Sequence, residues 1–138
     1  MASVALLAGC GTQDHPPEST AVALQQALSD HDRAALTQIL VGSPDDAAAV
    51  IDASRAFTPS GEPVVAGHGD SSQIRCAWIP GTARGEDSYV VAQLQWRDDE
   101  GTWAVLPSFL PGGEAAKGAS PCEGETPPEF AAKQRFGD

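Results

Sequence analysis

Polar and apolar positions divide this chain into a helical first half and a stranded second half. Ser19 or Thr20 can cap a helix over Ala21 to Ser29, in which Val22, Leu24 and Leu28 supply the apolar positions and Gln25 and Gln26 lie between them. Ser29-Asp30-His31-Asp32 breaks that pattern, and Asp32 can cap a second helix from Arg33 to Val41. Leu36, Ile39 and Leu40 share one face of it, and Gly42 ends it. Ser43-Pro44-Asp45-Asp46 is a third start signal: a capping hydroxyl, proline at the first helical position, and carboxylates near the positive end of the helix dipole. The third helix is expected to run to about Ala56, with Val50, Ile51, Ser54 and Phe57 facing inward.

After Pro59-Ser60-Gly61 the period changes to two, the repeat of a strand with one buried face. Val64–Gly67, Gln73–Ile79, Ser88–Arg97 and Thr102–Phe109 are the expected strands. In the third, Val90, Ala92, Leu94 and Trp96 alternate with Tyr89, Val91, Gln93 and Gln95. Asp98-Asp99-Glu100-Gly101 makes a tight hairpin into the fourth, and Gly81 to Asp87 is expected to be a longer polar loop. Helices followed by strands predict an α+β fold, two to three N-terminal helices on a curved antiparallel sheet of about four strands. Residues 111–138, rich in Pro, Gly and Glu, are expected to form a mobile tail, with a brief helix at Thr126-Pro127-Pro128-Glu129 carrying Phe130.

The N-terminus changes the picture. Val4-Ala5-Leu6-Leu7-Ala8-Gly9-Cys10 is a short apolar run closing on small residues and a cysteine. Leu7-Ala8-Gly9-Cys10 resembles the lipobox of bacterial lipoproteins. The resemblance implies a signal peptide over residues 1–9, cleavage before Cys10, and a diacylglyceryl group on its thiol, usually with an acyl chain on the new amino terminus. Small side chains let a signal peptidase close on the backbone, and two lipid signals give stable anchoring where one does not. Met1-Ala2-Ser3 carries no Lys or Arg, which fits a start codon upstream and an N-terminally incomplete signal. Residues 10–19, polar and with two prolines, then read as the tether to a domain over residues 20–110. The alternative is a soluble protein, secreted or cytosolic, whose N-terminus only mimics a signal.

Lipidation bears on the cysteine count. An exported chain with three cysteines leaves one odd thiol; if Cys10 carries lipid, Cys76 and Cys122 remain as a pair. Their disulfide would close a loop of about 46 residues, worth roughly 4 kcal/mol in the chain-entropy account. Two unrelated thiols are the other possibility.

The order of elements is similar to the nuclear-transport-factor-two-like (cystatin-like cone) superfamily. The resemblance rests on the broken helix at Ala27-Leu28-Ser29-Asp30, the second helix, and the late hairpin from Leu94-Gln95-Trp96-Arg97 to Thr102-Trp103-Ala104-Val105. It implies a sheet wrapped around a helix to form a cone-shaped pocket, in which enzymes of the superfamily often use an Asp/His pair.

Candidate chemistry is sparse. Asp30, His31 and Asp32 are such a group, but at a helix break an Asp is a cap and a His is exposed. His68-Gly69-Asp70 offers a general-base pair or half a metal site, short of the three or four ligands zinc takes. Trp78, Trp96 and Trp103 can line an apolar pocket or fill a core. Ser60, Ser71, Ser72 and Ser88 lack the nucleophile-elbow context, and no glycine loop is placed to cradle phosphate. Nineteen acidic against eight basic residues give a net charge of −11, which disfavours nucleic acid and direct adhesion to anionic headgroups. The sequence therefore predicts a lipid-anchored, extracytoplasmic binding protein at the cell membrane. Its partner would be an envelope protein or apolar ligand, and no cofactor or catalysis is expected. The alternative is a small-molecule enzyme using a pocket Asp/His pair.

Overall fold

The computed structural model describes residues 16–68, 71–113 and 122–137. Cys10, the signal and most of the tether lie outside them, as does Asp70. The elements are α1 (Pro17–Asp30), α2 (Arg33–Ile39), α3 (Pro44–Ala53), β1 (Phe57–Pro59), β2 (Val64–His68), β3 (Ser71–Ala83), β4 (Glu86–Arg97) and β5 (Thr102–Leu106). A 3-10 turn (Glu123–Glu125), α4 (Pro128–Ala131) and β6 (Gln134–Arg135) follow. The fold is α+β, as the sequence predicts.

Local chemistry sets the helix boundaries. α1 begins at Pro17, ahead of Ser19, with no side-chain cap; proline at the first position and Glu18 in the first turn favour this start. It ends where His31 turns left-handed at φ 55°. Asp32 caps α2 as expected, its carboxylate accepting from the Ala35 N–H at 3.0 Å. α3 opens on a capping box: the Asp46 N–H donates to Ser43 Oγ at 3.3 Å, and the Ser43 N–H donates to Asp46 Oδ2 at 2.9 Å. It stops at Ala53, three residues short of Ala56, because Phe57 is drawn into a strand against β3.

The sheet has six strands, ordered β1-β3-β4-β5. β2 adds to β3 beyond β1, and β6 adds to β4 beyond β5. Every pairing is antiparallel except β4 with β6. The two strands the sequence did not reveal are β1 and β6, three and two residues long, too short for an alternating pattern. β5 ends at Leu106, before Pro107, and its outer edge is partly occupied. The Val41 N–H donates to the Val105 carbonyl at 2.8 Å, and Thr20 Oγ1 donates to the Trp103 carbonyl at 3.2 Å.

Each face of the sheet has its own apolar cluster. Ala77, Ile79, Val90, Ala92, Leu94, Trp96, Trp103 and Val105 meet Leu24, Leu28, Leu36, Val50 and Ile51 of the helices. These side chains fill the space between the sheet and the helices. On the other face, Cys76, Trp78, Tyr89 and Val91 are covered by Cys122 and Phe130. The mobile tail expected from Pro111 is corrected here for residues 122–137, which form a strap across this second face. The Tyr89 and Phe130 rings meet at a tilt of 58° with centroids 5.4 Å apart, and the Phe136 N–H donates to the Tyr89 carbonyl at 2.7 Å. A composition rich in Pro and Gly concealed a segment held by two aromatic residues and a cysteine. The brief helix carrying Phe130 is present.

Candidate functional site

A two-residue turn builds the rim of a cleft. Arg84 (φ 54°) and Gly85 (φ 81°) are both left-handed, the geometry that matches the right-handed twist of paired strands. β3 and β4 therefore continue to Ala83 and Glu86, in place of the longer loop expected over Gly81–Asp87. Beside the first residues of β4 runs β6, in register Ser88 with Gln134 and Tyr89 with Arg135. Ser88 Oγ donates to the Gln134 carbonyl at 2.8 Å and fixes the strap at this point.

Between turn and strap lies a cleft of about 470 Å³, lined by Arg84, Glu86, Asp87, Gln134, Arg135 and Phe136 among others. Arg135 is 5% exposed, and its guanidinium donates to the Phe109 carbonyl at 2.8 Å. The Phe136 ring packs on Phe57 at 5.5 Å, which gives the cleft floor an apolar contact with the main core. Arg84 and Arg135 are matched in number by Glu86 and Asp87, so the lining carries little net charge. It offers planar donors and acceptors around an aromatic edge, which is equipment for binding a polar ligand. A smaller cavity of about 220 Å³ lies between α3 and the segment after β5, lined by Asp46, Val50, Pro107, Ser108, Gly112 and Gly113.

The residues singled out from sequence fall elsewhere. Asp30, His31 and Asp32 are exposed at the α1–α2 junction. Asp30 accepts from Gln26 Nε2 at 2.9 Å and Asp32 caps α2, so the pocket pair required by the catalytic alternative is not formed there. The His68 backbone pairs with Ser71 at the end of the β2–β3 ladder. Among the described residues, no group of three or more His, Cys, Asp or Glu is placed to hold a metal ion.

All three tryptophans are buried, Trp78 at 0%, Trp96 at 7% and Trp103 at 3% exposure. Trp96 and Trp103 meet edge-to-face at 5.5 Å, and Trp96 Nε1 donates to Asp98 Oδ1 at 2.6 Å. They are core, not the lining of a ligand pocket.

Cys76 and Cys122 form a disulfide, Cα–Cα 5.8 Å, within the second-face cluster. The cleft residues were not legible as a site. Arg84 and Gly85 carried a turn signal only, and Arg135 stood in a segment whose composition reads as unstructured. Comparisons with protein families, with curated proteins and with solved structures find no match.

Proposed function

We propose that this chain is a lipid-anchored, extracytoplasmic cell-envelope protein whose domain binds a polar ligand or partner at the cleft between the β3–β4 turn and β6. The observation that carries the reading is the division of its cysteines. Cys76 and Cys122 are joined inside the fold, and the third, Cys10, stands at the end of the apolar run Val4–Gly9. Disulfides persist in oxidising compartments outside the cytoplasm, and a cysteine after Leu7-Ala8-Gly9 is where a lipoprotein receives its lipid. Among the described residues no helix is long and apolar enough to cross a membrane, so a lipid would supply the attachment. The binding role is supported by a cleft with hydrogen-bonding groups between a tight turn and a strand paired to β4.

The test is the intact mass of the protein from fractionated cells, with fragmentation of its N-terminal peptide. The expected species begins at Cys10, carries diacylglyceryl and acyl mass, and sits in the membrane fraction. An unmodified chain beginning at Met1 in the soluble fraction overturns the anchor.

A further inference from the structure

The point at which the domain is tethered is fixed by the fold, and it lies far from the cleft. α1 starts at Pro17, and Thr20 in its first turn donates to the Trp103 carbonyl at 3.2 Å. Trp103 pairs with Trp96 next to the β4–β5 turn. The tether thus enters at the Asp98–Gly101 end of the molecule. The cleft is at the other end of the same strand, at Glu86, Asp87 and Ser88. From Trp96 to Ser88 along β4 is about 26 Å at the ordinary strand rise. The chain between Cys10 and Pro16 spans no more than about 22 Å even when extended.

We infer that the anchored domain stands end-on, with the β4–β5 turn toward the bilayer and the cleft facing away from it, so that the cleft takes a water-borne ligand and not a membrane lipid. This rests on the lipid-anchored reading above. The net charge of −11 opposes a flank lying flat on an anionic bilayer. Apart from Ala83, Phe136 and Gly137 the lining of the cleft is polar, and its charges balance.

The test uses the full lipidated chain in phosphatidylcholine–phosphatidylglycerol vesicles that carry a short-range nitroxide quencher on their headgroups. With Cys10 lipidated and Cys76 joined to Cys122, one introduced thiol takes a fluorophore. Asp99→Cys marks the tethered end and Thr82→Cys the cleft end, both at exposed positions. Quenching is expected to be several-fold stronger at position 99 than at position 82. Equal quenching at the two positions, or stronger quenching at 82, overturns the posture while leaving the anchor intact. Protein that fails to float with the vesicles overturns anchor and posture together.

Discussion

At Gly81 the space for a side chain is already taken. A Cβ built there would lie 2.6 Å from Phe57 Cζ and would also strike the Thr58 carbonyl oxygen, because β1 and the Phe57 ring close directly over β3. Gly67, in β2, has no atom within 4 Å of the same position. Gly81→Ala is therefore expected to lower the unfolding free energy by about 1–3 kcal/mol through overpacking, while Gly67→Ala leaves it nearly unchanged. Urea denaturation of the two variants side by side checks this. Ser43 is a second sharp case. Its hydroxyl accepts from Asp46 N–H, and Ser43→Ala should cost about 1 kcal/mol by the same measurement, with the spectroscopic helix signal of the folded state retained. This cap was legible in the sequence because it depends on four consecutive residues. The Gly81 contact was not, since it depends on Phe57, which reads as a helix position until β1 is seen to form.

The strap from Cys122 to Gly137 is the element whose role departs furthest from its composition. It covers Trp78, Tyr89 and Val91 with a single phenyl ring, a disulfide and a two-residue strand. Phe130→Ala removes the ring and should destabilise by about 3–5 kcal/mol. Cys122→Ser with Cys76→Ser should cost about 2–5 kcal/mol. Both changes undock one element, so the combination is expected to fall short of the sum; thermal unfolding of the full set of variants would show it. The helices and central strands were legible because each repeats its period over several turns or pairs. β1 and β6 were not, being three and two residues long and held by neighbours rather than by their own pattern. The cleft went unseen for the same reason, since four of its nine lining residues belong to β6 and the residues after it.

For the molecule as a whole, charge and closure matter most. Nineteen acidic residues against eight basic ones leave a folded domain that repels itself. The surface ion pairs Arg33–Asp52, Arg55–Asp52 and Arg97–Glu100 are half exposed and contribute little each. Raising the salt concentration from a few millimolar should therefore raise the urea midpoint, because screening relieves more repulsion than attraction. A midpoint that falls would show that the few ion pairs outweigh the excess of carboxylates. The strap has a further consequence in time. During synthesis the chain emerges from its N-terminal side, and Cys76 meets a partner 46 residues later in sequence. Until that stretch has emerged, one face of the sheet stays bare and the central strands have half their packing. Under the exported reading proposed above, the nascent polypeptide would stay loose enough to thread a secretion channel and would lock into its final form on the far side, where an oxidant can close the bridge.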